Sequence, residues 1–308
     1  MSCPFCGTST FSHSVYPIFN FNNKFFNYVK CRNCDLIYLN NFPDAADYTA
    51  MYPPSYQGDE VVTTIQSDPY KKLPGLRFSY GYQYDLVRKL ENKNPRILDY
   101  GCGNGHFIAN AIHSGFQCDG AEFSSEYVKL LQSAIPNAQF YTIGQLLAGE
   151  VVVKYDVIRL SNVLEHLTEP LAVLNKLKDN LHPGGIILVE GPVEENFCLA
   201  SAFRKIYFRL RKLIGGNRPV SSPPYHIFFS NRKNQRDFFK KAGLTETHFE
   251  ISEDAWPFPA TISGARGIKQ KIMAVIAKTS ISLSKLFNKN WGNTFIYSGR
   301  AGCFPGNK

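Results

Sequence analysis

The chain has 308 residues, 44% of them apolar, with eight cysteines and a formal charge of +9. That length holds one large domain with a small one beside it, and the composition excludes a membrane-spanning chain and a disulfide scaffold. The positive balance calls for an anionic partner: nucleic acid, a phosphorylated small molecule or an anionic membrane surface. The N-terminus, Met1-Ser2-Cys3-Pro4-Phe5, lacks the basic start and apolar core of a signal peptide, so a cytoplasmic protein is expected.

Two C-x2-C pairs come first, Cys3/Cys6 and Cys31/Cys34, with 24 residues between them (7–30). Each pair sets two thiolates on one ion at a tight turn, and four thiolates make a closed tetrahedral site suited to structural zinc. Phe19, Phe21, Phe25, Phe26, Tyr28 and Val29 read as two short strands about the turn Asn22-Asn23, and Asp35 to Leu39 as a last strand, so residues 1–40 form a zinc ribbon. Residues 41–77 are rich in Tyr (48, 52, 56, 70) and Pro (43, 53, 54, 69, 74), which argues against a long helix. So many aromatics suit a strap that packs over the rest of the protein. Apolar spacing then becomes helical from Phe78 to Leu90 and ends at Asn92-Lys93-Asn94-Pro95.

Arg96-Ile97-Leu98-Asp99-Tyr100-Gly101-Cys102-Gly103-Asn104-Gly105-His106-Phe107 is a strand, a tight turn and a helix start. Glycines at alternate positions let the backbone take angles closed to other residues and approach a nucleotide-like ligand without a Cβ between them. A dinucleotide site spaces its glycines G-x-G-x-x-G; here the run is D-x-G-x-G-x-G. In this form the chain resembles the class I S-adenosylmethionine (SAM) methyltransferases. The resemblance implies a doubly wound, seven-stranded Rossmann-like sheet over residues 78–308. It also implies SAM as cofactor, with Asp99, Gly101, Gly103 and Gly105 around its methionine end.

The second strand ends at Glu122, 17 residues past Gly105 and just before the helix-start signature Phe123-Ser124-Ser125. A carboxylate there can accept both ribose hydroxyls; Asp119 falls mid-strand and is the weaker candidate. Residues 135–142 read as the third strand. No acid follows it between Thr142 and Gln145, which leaves adenine to backbone groups and apolar contact around Ile143. Tyr155 to Leu160 is the fourth strand, and Ser161-Asn162-Val163-Leu164-Glu165-His166-Leu167 after it resembles the family's segment beside the methyl donor, which places Ser161 with the cofactor and Glu165 and His166 near the chemistry. Related O-methyltransferases bind a divalent ion with E-x-x-E-H here; Asn162 replaces the first acid, and one carboxylate with one imidazole makes a poor ion site.

After a helix (Leu171 to Leu181) and a buried fifth strand (Ile186 to Glu190) comes a basic amphipathic insertion, about 196–220, with no acid between Asn196 and Arg218. Such a helix lies on an anionic bilayer, closes over a phosphorylated substrate, or simply packs with a solvated face. Tyr225-His226-Ile227-Phe228-Phe229-Ser230 precedes a helix, Arg232 to Ala242; in the family this histidine faces substrate, and an imidazole's ordinary pKa suits His226 as general base. A sixth strand (Leu244 to Ile251) follows. Gly267 to Asn290 then reads as a helix with Ile268, Ile272, Val275, Ile276, Leu283 and Leu286 inward and Lys271, Lys278 and Lys285 outward. A closing strand from Trp291 to Tyr297 is antiparallel at the sheet edge in the family pattern.

A four-cysteine ribbon joined to such a core is similar to bacterial methyltransferases of sugar and surface-polysaccharide pathways. That similarity implies a nucleotide-linked or lipid-linked sugar phosphate as substrate, with O-methylation ahead of C-methylation and peripheral contact with an anionic membrane, at its inner face. Nucleic acid ranks lower, since no N-P-P-Y-type motif follows the fourth strand. A non-catalytic SAM-binding or membrane-associated module ranks third.

Overall fold

The computed structural model describes residues 2–53, 78–216, 218–253, 267–287 and 290–302. Pro54, Tyr56, Pro69, Tyr70 and Pro74 of the expected strap, and the side chains of Lys285 and Leu286, lie outside the described residues.

The N-terminal segment folds as β1 (Phe11–His13), β2 (Phe19–Phe21), β3 (Lys24–Phe26), β4 (Tyr28–Cys31) and β5 (Ile37–Leu39). Asn22 and Asn23 take left-handed backbone angles (φ 50° and 59°), as a two-residue hairpin between β2 and β3 demands. Helix α1 (Ala45–Met51) follows, with Asp44 as its N-cap: the Asp44 side chain accepts from the Asp47 N–H and Asp47 returns the favour to the Asp44 N–H. The prolines allow this helix because they come before and after it.

The remaining elements, in order, are α2 (Tyr80–Val87), β6 (Arg96–Tyr100), α3 (His106–His113), β7 (Gln117–Glu122), α4 (Ser125–Ala134), β8 (Phe140–Thr142), α5 (Ile143–Ala148), β9 (Tyr155–Ser161), α6 (Pro170–Lys178), β10 (Leu181–Pro192), α7 (Leu199–Gly215), β11 (Val220–Ser221), β12 (Phe228–Phe229), α8 (Arg232–Lys241), β13 (Leu244–Ser252), α9 (Gly267–Phe287) and β14 (Thr294–Ala301). Seven strands form one sheet in the order β13-β14-β10-β9-β6-β7-β8. Pairings from β10 through β8 are parallel, and β14 runs antiparallel to both its neighbours. This is the Rossmann-like methyltransferase architecture. Apolar residues on both sheet faces, Ile97, Leu98, Val157, Ile158, Ile187 and Leu188, are buried, as a parallel sheet covered by helices requires.

Two expectations are corrected. The antiparallel strand β14 is not at the edge: it lies between β10 and β13, and β13 takes the edge. In α9 the inward face is Ala274, Ala277 and Ser280, all within 3% of full burial, while Ile268, Ile272 and Val275 are exposed. Small side chains let α9 lie close to α7, where the Leu199 N–H donates to Ser280 Oγ at 3.0 Å.

The ribbon does not stand apart. β12 pairs with β5 and β11 with β2, so segments from the far half of the chain complete both small sheets. Phe5, Tyr28 and Leu39 share one core with Leu98, Ile187 and Phe238. Among the described residues no helix is long and apolar enough to cross a membrane.

Candidate active site

The glycine turn sits at the carboxyl end of β6, the crevice where ligands bind in open α/β sheets. Gly101, Gly103 and Gly105 all have left-handed backbone angles (φ 74°, 54° and 76°). A Cβ on Gly101 would sit 2.5 Å from a Val163 methyl, and one on Gly105 would sit 2.7 Å from Leu131. Glu122, at the tip of β7, reaches back to this turn: one carboxylate oxygen accepts from the Gly103 N–H and the other from the Phe123 N–H, both at 2.8 Å. Burial pushes its pKa up, against those two donors. Each oxygen keeps a lone pair for a further donor.

A cleft of about 200 Å³ opens here between Gly101, Glu122, Tyr127, Ile143, Val163 and His166. The Tyr127 hydroxyl is buried without a hydrogen-bond partner, a cost that a polar ligand removes. Tyr48, Tyr52 and Pro53 line the other side. A larger groove, about 810 Å³, lies by α8 and β13, but Arg232, Lys233, Arg236 and Lys240 there face Glu195, Asp237 and Glu246, and it has no glycine turn. The smaller cleft brings together bare backbone, the Glu122 carboxylate, an unsatisfied phenol and apolar Ile143.

Beneath the turn lies a buried polar chain. Asp99 is 1% exposed, and its carboxylate accepts from Arg159 at 2.6 Å. Arg159 also donates to Gln83 at 2.6 Å and lies 3.8 Å over the Phe107 ring. Gln83 in turn donates to Glu190, which accepts from Ser161 as well (2.9 Å). Burial raises the pKa of both Asp99 and Glu190, with Arg159 opposing it. Asp99 and Ser161, expected at the cofactor, are held in this chain by Arg159 and Glu190 and are not among the residues lining the cleft. Arg159 pairs with Asp99, while Glu190 is held by Gln83 and Ser161, so this chain beneath the turn carries two carboxylates and one guanidinium. Gln83, Arg159 and Glu190 were not singled out in the sequence; the available signal was a cation, Arg159, within the apolar run Val157-Ile158-Arg159-Leu160.

Glu165 and His166, adjacent in sequence, and the distant His226 bring their donor atoms within 4.8 Å of one another. His166 lies on a single 3-10 turn (Leu164–His166) after β9. Its Nδ1 is 2.8 Å from the Tyr225 carbonyl and 3.0 Å from the Tyr52 hydroxyl. A carbonyl only accepts, so Nδ1 carries the proton and Nε2 keeps its lone pair. Burial, and then the charge on His226, pushes His166 down to about 4. His226 differs: burial opposes its charge, but the Glu194 carboxylate, 2.5 Å from Nδ1, lifts it to about 9. Glu165 is pushed up to about 7 by burial. His226, expected to be the neutral base, is thus an imidazolium at neutral pH, and its partner Glu194 is the residue the sequence reading missed.

The four ribbon cysteines also have their Sγ atoms within 4.8 Å of one another. Cys3 and Cys34 are 3.6 Å apart, Cys6 and Cys31 3.5 Å. Tetrahedral bonds near 2.3 Å put sulfurs about 3.8 Å apart, so the cluster fits zinc. The hydrogen bond from Cys34 holds Cys3 down to about 5, so one thiolate is already favoured. Substituting Cys6→Ser should cut bound zinc, read by plasma emission, and lower the melting midpoint by roughly 5 to 15 °C. Unchanged metal content and midpoint would show that the ribbon folds on its aromatic core alone.

The sequence profile of a methyltransferase domain family matches residues 78–248. Curated relatives include the ubiquinone biosynthesis O-methyltransferase of Xanthomonas axonopodis pv. citri, 28% identical over 122 residues, covering 38% of this chain and 49% of the relative. That of Cereibacter sphaeroides (strain ATCC 17029 / ATH 2.4.9) is 29% identical over 170 residues, covering 53% of this chain and 65% of the relative. The chain spans about half the length of the curated relatives it matches. A solved SAM-dependent methyltransferase from Archaeoglobus fulgidus aligns at 14% identity and a TM-score of 0.43, covering 72% of this chain and 92% of its own.

Proposed function

The chain belongs to the methyltransferase domain family, and from that premise we propose that it methylates a hydroxyl of a sugar carried on a nucleotide or lipid phosphate. The observation that carries the reading is a neutral imidazole, His166, in the wall of the cleft. The relatives' names favour oxygen as the accepting atom, and the net charge of +9 favours a phosphorylated carrier. Bound SAM supplies a methyl group on a sulfonium, a leaving group that needs no acid catalyst. The protein's task is then alignment and proton removal. Glu122 and the glycine turn hold the nucleoside, and Ile143 covers the base. His166 Nε2 accepts the acceptor's proton, and the imidazolium of His226, held by Glu194, stabilises the oxygen as its negative charge develops.

This division of labour sets a pH profile. His226 has a raised pKa, so its contribution is complete below the free imidazole's value near 6.5 and is lost as pH climbs through about 9. His166 has a lowered one, so its contribution is present above about 6.5 and is lost as pH falls toward 4. His226→Gln should therefore erase the alkaline limb of kcat and move the acid limb upward, because the charge that depresses His166 has gone. His166→Asn should cost about 10²- to 10⁴-fold in kcat with SAM affinity kept. An alkaline limb that survives His226→Gln would take the cationic role from His226.

The substrate class is tested by methyl transfer from tritiated SAM to nucleotide-sugars, lipid-linked glycans and RNA. Label in a sugar supports the proposal; label only in RNA overturns it. A second reading is favoured by the three donors at Glu165, His166 and His226: a strict requirement of turnover for added Mg²⁺ or Mn²⁺ would make the cluster a cation site rather than a proton relay.

A further inference from the structure

Helix α7 is oriented inside out. Two of its charged residues face the protein: Arg204 donates to the Glu194 carbonyl at 2.5 Å, and Lys205 pairs with Glu195 at 3.0 Å. Phe208 is the one aromatic of this face, its ring 5.5 Å from that of Tyr16. The large apolar residues face outward. Phe203, Ile206, Tyr207, Leu210, Leu213 and Ile214 are all exposed, Leu213 and Ile214 by 81% and 87%. At about 100° per residue these six fall within an arc of roughly 120°. Helix α9, packed against α7 through its small residues, adds Ile268, Ile272 and Val275, exposed by 79%, 55% and 48% and spaced i, i+4, i+7. Soluble proteins seldom leave an apolar surface of this kind without an occupant.

The charges beside it say which occupant. Arg209 and Arg211 flank the apolar arc of α7, Lys271 and Lys278 lie on α9, and neither helix contains an acid. A second copy of the chain would set two acid-free basic faces against each other, which repels. A surface that accepts apolar side chains to a depth of a few ångströms and offers anions at the rim is a bilayer of anionic lipid. We propose that α7 and α9 together form a docking surface for such a bilayer and lie in its headgroup layer rather than across it. Through Arg204 and Lys205, α7 is tied directly to Glu194, the partner of His226, and to its neighbour Glu195. Docking therefore holds the catalytic cluster close to the lipid surface, where a lipid-linked acceptor presents its headgroup.

The inference rests on these exposed faces and not on the transferase reading, so its test uses no turnover. Zinc-loaded full-length chain is sedimented with vesicles of phosphatidylcholine alone and of phosphatidylcholine with phosphatidylglycerol, at physiological ionic strength. Partition into the anionic vesicles should be at least roughly tenfold the greater. Leu213→Glu with Ile214→Glu should abolish it with melting midpoint unchanged, and Arg209→Glu with Lys271→Glu should erase the preference for anionic lipid. No sedimentation with anionic vesicles overturns the proposal. So does a dimer in analytical ultracentrifugation that Leu213→Glu with Ile214→Glu turns into a monomer, since the face then belongs to a second copy.

Discussion

Replacing Glu122 by alanine should weaken SAM binding by roughly 100-fold or more. The carboxylate is the group at the cleft that can accept two ribose hydroxyls, and charge-assisted hydrogen bonds contribute about 1.5–3 kcal/mol each, so losing two costs about 3 kcal/mol or more, a little over two decades in Kd. The same substitution frees the Gly103 and Phe123 N–H groups, which Glu122 holds at 2.8 Å, and so loosens the turn itself. Glu122→Gln keeps the shape and one oxygen and should fall between. Asp119→Asn is the control: Asp119 is tied to Arg96 at 2.6 Å and to the Tyr155 hydroxyl at 3.0 Å, away from the cleft, so it should lower stability and leave SAM affinity within about threefold. Equal losses from the two variants would mean that affinity follows the sheet's stability and not contact with the nucleoside.

The largest effect on stability is expected at Arg159. Breaking a buried ion pair by removing one partner costs about 3–5 kcal/mol, because the other charge is left uncompensated; Arg159→Met strands Asp99, fully buried, and leaves Glu190 with Gln83 and Ser161 alone. A melting midpoint lower by roughly 10 °C is the expected reading. Adding Asp99→Asn should recover part of the loss, since a neutral amide tolerates the apolar neighbour better than a carboxylate does. If Arg159→Met melts like the wild type, the chain from Asp99 to Ser161 does not hold the pocket floor.

What the sequence discloses about this fold is what local geometry dictates. A backbone that needs positive φ at three alternate positions is most readily written with glycines, so Gly101, Gly103 and Gly105 are visible without a structure, and two C-x2-C knuckles are visible for the same kind of reason. Contacts made by spatial order are not. Phe228 meets Tyr38 across 190 residues of sequence, and the Glu194 that charges His226 stands in the turn after β10, so neither the ribbon's fourth strand nor the protonation of His226 follows from reading neighbours. Helices α7 and α9 teach a separate lesson. Periodicity shows that a helix has an apolar face; it does not say that the face turns inward. The assumption held for α3, where Phe107, Ile108 and Ala111 are buried, and failed for α9, where Ala274 and Ala277 take the core and the larger residues meet solvent.

The central claim is that a bare turn at the end of β6 and the carboxylate of Glu122 form a nucleoside site. Isothermal titration of SAM and of S-adenosylhomocysteine into the zinc-loaded wild-type chain tests it most directly. The account predicts one saturable site per chain for both ligands, lost together in Glu122→Ala. Absence of binding heat from folded, zinc-loaded protein, or binding that Glu122→Ala leaves intact, would contradict it.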